Sequence, residues 1–273
     1  MTEGRDKARD RVDILGVFID RVDLDGAAAL VRGMVEEHRA ARDVAGCDAA
    51  GREPGGRMIV TPNAEVIYSA RQDPALAHIL NRADLAVADG SGVVLASRIL
   101  GRPLPERVAG YDLLLKLFTT GAEAGWRVFL FGTYPETVAE AARRLPGDYP
   151  GLIVAGFHDG YFGPADEAGI IEQIRGSRAD LLVTALGAPK QERWLAAHLG
   201  ETGVGVGIGV GGSLDVLAGR ARRAPPTFRR LHVEWLYRLV REPKRARRIL
   251  GSLPRFAWAV LAERGRPRSP ARP

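Results

Sequence analysis

At 273 residues and 46% hydrophobic, the chain can bury a full core, which suits one large α/β domain with an appendage better than two equal domains. No window approaches the ~18 apolar residues of a membrane span. "MTEGRDKARDRVDILG" at the N-terminus has no apolar signal core, and the single Cys47 cannot form an intrachain disulfide, so integral membrane and disulfide-stapled secreted classes are excluded and a reducing compartment is expected. The net charge of +6 is unevenly spread: from Arg220 onward there are 16 Lys/Arg against 3 Asp/Glu, and before it 23 against 30, so a +13 tail follows a −7 body. Such segregation predicts a surface that meets an acidic partner.

Along the chain, the runs "ILGVFI", "RMIV", "DLAVA", "WRVFLF", "LIVAG", "DLLVTAL" and "GVGVGIGV" are each followed by apolar residues at helical spacing. The alternation predicts βαβ units and an α/β fold: a Rossmann-like, mostly parallel sheet flanked by helices. A catalytic body over 1–220, a basic helical appendage over 221–265 and a disordered tail over 266–273 are expected, with an Ala/Gly/Arg-rich loop insertion from about Arg39 to Gly56.

Polar signatures follow five of these strands: "TPNAE" after "RMIV", "DGSG" after "DLAVA", "GTYPE" after "RVFLF", "LGAPKQE" after "LLVTA" and "GGSLD" after "GIGV". In an open parallel sheet the strands' carboxyl ends form one ligand-binding edge beside helix N-termini, which favour anionic groups, so a nucleotide diphosphate is the leading ligand class. "GIGVGG" (207–212) has dinucleotide-fingerprint spacing, but it lies at the last strand and no ribose-binding acid follows about twenty residues on; a glycine strand packed tightly before a sharp turn is the simpler reading. "DLD" (23–25) resembles a metal-binding acid pair but stands where a helix cap belongs, and no other His/Asp/Glu cluster has ligand spacing, so no metal is expected. Asp89, at the end of an apolar strand and before Gly-Ser-Gly, either projects into the cleft or caps the next helix; Asn63 and Glu65 carry the same two readings. Lys190, Gln191 and Glu192 open a helix where each singly reads as solvated surface, although together they stand at the same edge.

Seven ordered stretches, "TPNAE", "ADGSGVV", "RPLPERVAGYDLL", "FHDGYF", "LGAPKQERW", "GVGGSLDVLAG" and "RAPPTFRRLHVEWLYRLVREPKRARR", resemble the WecG/TagA/CpsF glycosyltransferases, glycosyltransferase family 26, from about residue 13 to 250. The loop at about 39–56 is longer than usual for that family and lies outside its motifs. The resemblance implies transfer of N-acetylmannosamine or a related sugar from a UDP donor to undecaprenyl-diphosphate-linked N-acetylglucosamine, on the inner face of a bacterial cell membrane. It implies Asp89 as catalytic base with Thr61 and Asn63 beside it. Arg107, Tyr161 and Gln191 correspond to donor-pocket positions, and Arg238, Arg245 and Arg248 to arginines that the C-terminal appendage brings to the site.

For that chemistry a carboxylate need only take the acceptor proton late, as the hydroxyl acidifies on bonding to the anomeric carbon. Fixed arginines at 238, 245 and 248 can absorb the charge of the departing UDP without a metal or other cofactor. Phe228, Leu231, Trp235 and Leu239 form an apolar stripe in the tail, and Pro243 can start a second helix carrying Arg245, Arg248, Phe256 and Trp258. One surface would meet an anionic membrane or the body, the other phosphates. The alternatives are a helix packed on the core with a solvated basic face, a nicotinamide-type oxidoreductase, and a non-enzymatic basic module; no nucleic-acid motif accompanies the charge. Oligomerisation is left open.

Overall fold

The structure, a computed structural model, describes residues 9–45, 56–221, 225 and 243–264, with side chains at 9–43, 56–221, 225 and 251–264. Six strands form one sheet: β3 (Arg57–Val60), β4 (Leu85–Ala86), β5 (Arg127–Gly132), β6 (Ile153–His158), β7 (Leu181–Ala185) and β8 (Val206–Gly209), in the order β4-β3-β8-β7-β5-β6 with every pairing parallel. The central β7 and β8 are buried along their whole length, which is why they read as continuous small and branched apolar runs. On β5 the pleat alternates sides: Val128 and Leu130 join a core with Leu113, Leu117 and Trp126, while Phe129 and Phe131 join the opposite one with Leu182 and Trp194.

The expected first strand differs. "ILGVFI" folds into an antiparallel hairpin, β1 (Arg11–Ile14) and β2 (Val17–Asp20), outside the six-stranded sheet. Leu15 (φ 57°) and Gly16 (φ 88°) both take left-handed conformations, and Asp13 Oδ1 accepts from Gly16 N at 2.8 Å. Two adjacent left-handed residues make a two-residue hairpin turn that matches strand twist, so the run reverses instead of continuing.

Helix α1 (Leu24–Ala45) runs beyond the expected loop start at Arg39; residues 46–55 lie outside the described ones. Asp23 does cap it, Oδ1 accepting from Gly26 N at 2.7 Å, while Asp25 pairs with Lys116. After β3 come α2 (Ala64–Ala70) and α3 (Pro74–Arg82), capped by Asn63 and Asp73; α4 (Ser91–Ile99) follows β4, and α5 (Gly110–Ala124) ends at the left-handed Gly125. Next are α6 (Pro135–Asp148), α7 (Glu167–Ser177), α8 (Lys190–His198) and the short α9 (Ser213–Leu217). A C-terminal helix, Pro243–Arg264, begins at the expected proline and packs on α2 and α4. Its Phe256, Ala259 and Val260 join the core while Trp258 and Leu261 stay exposed. The stripe at 228–239 and the tail at 266–273 fall outside the described residues.

Candidate active site at the carboxyl edge of the sheet

A cavity of about 1180 Å³ opens at the carboxyl ends of β3, β4, β7 and β8 and is closed on its far side by α4 and the C-terminal helix. It exceeds the roughly 300–1,000 Å³ of an ordinary small-ligand pocket. Its strand-end wall holds Thr61, Asn63, Asp89, Arg107 and Gln191; its helical wall is mostly apolar, with Val94, Leu95 and Ile99 from α4 and Leu253, Phe256 and Val260 from the C-terminal helix, beside the polar Arg98 and Ser252.

Each strand-end residue is set by local structure. Thr61 Oγ1 donates to the carbonyl of Gly209 on the neighbouring β8 at 3.0 Å, and a Cβ at Gly110 would come within 3.0 Å of that hydroxyl oxygen, so the first turn of α5 rests directly on it. Asn63 does cap its helix, Oδ1 accepting from Val66 N at 3.0 Å, and lines the cavity as well; the two readings of this residue are compatible. At α4 the cap position belongs to Gly90 (φ 99°), which has no side chain, and Asp89 stands one residue earlier in the cavity wall. The Arg107 guanidinium lies 3.6 Å from the Asp112 carboxylate and is mostly buried.

The start of α8 departs from the surface reading. Gln191 and Glu192 are both 3% exposed. Gln191 lies flat over β8: a Cβ at Gly209 would sit 2.7 Å from its amide nitrogen, so only glycine lets it approach. Its Oε1 accepts from Gly211 N at 3.0 Å and its Nε2 donates to Glu192 Oε1 at 2.9 Å. Burial pushes the Glu192 carboxyl above the usual carboxylate range, against the hydrogen bond from Gln191, which pulls it down. Lys190, by contrast, is exposed and lies 4.3 Å from the Phe162 ring centroid. The missed signal was spacing: 191 and 192 stand four and three residues before the buried Leu195, on the same helical stripe.

Tyr161 is not brought to this wall. It is 63% exposed and stacks on Tyr134, ring centroids 5.1 Å apart, and its hydrogen bond with Tyr134 pushes its hydroxyl up to about 12. Arg238 lies outside the described residues; Arg245 and Arg248 fall on the first two turns of the C-terminal helix, where the backbone alone is described. Among the described residues, no group of three or more His, Cys, Asp or Glu side chains is placed to hold a metal ion.

The glycines of "GIGVGG" serve packing: Gly207 accommodates Leu195 and Leu199, Gly209 accommodates Gln191, and Gly211 turns the chain at φ 54°. That use leaves the dinucleotide reading without support.

Known proteins are similar to this chain over most of its length. A protein of Bacillus spizizenii is 40% identical over 206 residues, covering 76% of this chain and 79% of its own, and one of Staphylococcus aureus (strain MW2) is 36% identical over 250 residues, 92% of each chain. One of Bacillus subtilis (strain 168) is 35% identical over 208 residues, 76% of this chain and 80% of its own. All three carry the name N-acetylglucosaminyldiphosphoundecaprenol N-acetyl-beta-D-mannosaminyltransferase. The profile of the Glycosyl transferase WecG/TagA/CpsF family matches residues 12–270, from the first hairpin into the basic tail, and with four of the five strand-end signatures, all but "GTYPE", gathered in one cavity the chain belongs to that family and is a glycosyltransferase, not an oxidoreductase.

Proposed function

We infer that this glycosyltransferase moves N-acetylmannosamine, or a related sugar, from a UDP donor to the N-acetylglucosamine of an undecaprenyl-diphosphate lipid, with inversion at the anomeric carbon. One observation carries the reading: Thr61, Asn63, Asp89, Arg107 and Gln191, from four separate motifs, line a single cavity at the sheet's carboxyl edge. The names of the relatives supply the substrate class.

In this reading the acceptor hydroxyl oxygen attacks the anomeric carbon from the face opposite UDP. The bond from that carbon to the diphosphate oxygen breaks and its electron pair leaves on UDP. Asp89 takes the hydroxyl proton as the new bond acidifies it. Arg107, with Arg238, Arg245 and Arg248 of the basic tail, neutralises the departing diphosphate, to which a guanidinium fork offers paired donors. Tyr161, outside the cavity wall, makes no contact that this mechanism uses.

A peripheral seat on the inner face of the membrane accompanies the reading. No helix among the described residues is long and apolar enough to cross a membrane. Trp258 and Leu261, one turn apart on the outward side of the C-terminal helix, are 70% and 56% exposed, next to the arginine-rich tail. An amphipathic helix of this kind lies in the lipid interface, and the cations add attraction to anionic headgroups.

The test is transfer by the purified protein from UDP-N-acetylmannosamine to a short-chain lipid-diphosphate N-acetylglucosamine, followed by mass spectrometry, with and without EDTA. A disaccharide product that survives chelation is expected. Absence of product with every UDP-N-acetylhexosamine tried would remove the reading; product abolished by EDTA and restored by Mg²⁺ or Mn²⁺ would replace the arginines with a metal.

A further inference from the structure

Glu192 is the buried acid of the cavity wall that the mechanism above does not use. It is 3% exposed, and its Oε2 has no hydrogen-bond partner among the described residues. Its Oε1 meets Gln191 Nε2 at 2.9 Å, while Gln191 Oε1 meets Gly211 N at 3.0 Å. The direction of this relay is forced. A backbone N–H can only donate, so the Gln191 amide must turn its oxygen to Gly211 and its nitrogen to position 192, where an acceptor is then required.

The relay joins two parts of the wall that are distant in the chain, the first turn of α8 and the glycine turn after β8. Gly209 completes the seat, because any Cβ there would displace the amide. Three constraints therefore hold Gln191: a glycine floor, a backbone donor on one side and a carboxyl acceptor on the other. Of these, only the carboxyl is a side chain without another task in the fold.

We propose that Glu192 is a positioning residue of the transfer site, whose carboxyl oxygen orients the Gln191 amide and, through it, the Gly211–Gly212 turn against the UDP-sugar donor. The inference rests on the reading of this wall as part of the donor site. A group held in register before substrate arrives lowers the ordering cost of binding, so its loss falls on KM for the donor more than on turnover.

The experiment is a double-mutant cycle on the full chain, measuring donor KM, kcat and thermal midpoint for Glu192→Met, Glu192→Gln, Gln191→Ala and Gln191→Ala with Glu192→Met. Methionine keeps the volume and removes the acceptor; donor KM should rise about tenfold with kcat within about threefold. Glutamine keeps an oxygen for Gln191 Nε2 and should restore KM to within about threefold of the parent. In the Gln191→Ala background Glu192→Met should add little, because residues acting through one another are not additive. Additive losses, or a glutamine variant as impaired as the methionine one, would overturn the positioning role while leaving the donor-site reading in place. An unchanged donor KM in Gln191→Ala would overturn both.

Discussion

On the strand-end wall of the cavity, Thr61 is tied to the Gly209 carbonyl and Gln191 to the Gly211 N–H, whereas the helical side contributes the apolar Val94, Leu95 and Ile99 of α4 and Leu253, Phe256 and Val260 of the C-terminal helix. The first wall is held by directional bonds to the backbone of β8 and of the glycine turn that follows it. The second depends on one helix docked onto α2 and α4. Hydrogen bonds fix orientation to a fraction of an ångström, while dispersion and water exclusion fix proximity and tolerate sliding. A base that must be aligned is better held on the first wall, and the apolar side chains of the second can adapt to a guest without disturbing it.

The sharpest way to break this comparison is Asp89→Asn, which keeps the shape of the strand-end wall and removes its basicity. Turnover should fall by ~100-fold or more with donor affinity nearly unchanged. Near-normal turnover in a steady-state assay would take the base assignment away from this wall.

Phe256→Ala tests the opposite wall. Truncating a buried phenylalanine in a sealed core costs about 3–5 kcal/mol, but Phe256 borders an open cavity, so about 2 kcal/mol is expected here. The loss should appear as faster proteolysis of the C-terminal helix and a lower thermal midpoint, with the Thr61 and Gln191 contacts kept. An undiminished midpoint would mean that Phe256 does not hold the helix in place.

A smaller effect is expected from changing both Trp258 and Leu261 to alanine, on the outward side of the same helix. Binding to vesicles containing anionic lipid should weaken on the order of tenfold, the equivalent of ~1.4 kcal/mol, while transfer to a water-soluble acceptor is retained. Equal losses in both assays would place these side chains in the site instead of at the lipid.

The smallest effect concerns pH and Glu192. Its folded-state affinity for a proton is raised, so between the unfolded and folded pKa values the native protein holds more protons than the unfolded chain, and stability falls as pH rises through that window. Glu192→Gln cannot ionise. Relative to the parent, its thermal midpoint should therefore improve from pH 4 to pH 7, and a difference independent of pH would show that burial does not disfavour the charged carboxylate.

Much of this molecule is legible in its sequence. The apolar runs of β3, β5, β7 and β8 mark strands because a parallel sheet covered on both faces needs uninterrupted small and branched side chains. The polar groups after β3, β7 and β8 mark the edge where the cavity opens, Asp23 announces α1, and Pro243 announces the C-terminal helix. These are local signals, carried by a pleat of period two, a helix of period 3.6 and the capping of single residues.

Other features were settled only by non-local packing. Leu15 and Gly16 turn "ILGVFI" into a hairpin, and a leucine at φ 57° is not what local preference would choose. Gln191 and Glu192 look like any solvated helix start until α8 lays them over Gly209, and Thr61 finds its acceptor 148 residues away. Tyr161, matched by motif to the donor pocket, stacks outside the cavity wall on Tyr134 instead. By itself the sequence determined most of the elements, the polar signatures at the strand ends and the uneven charge, because those follow from neighbours along the chain. Which side chains share a wall, and which acid is sealed into it, was decided by the tertiary structure, because burial depends on what the far end of the chain packs against.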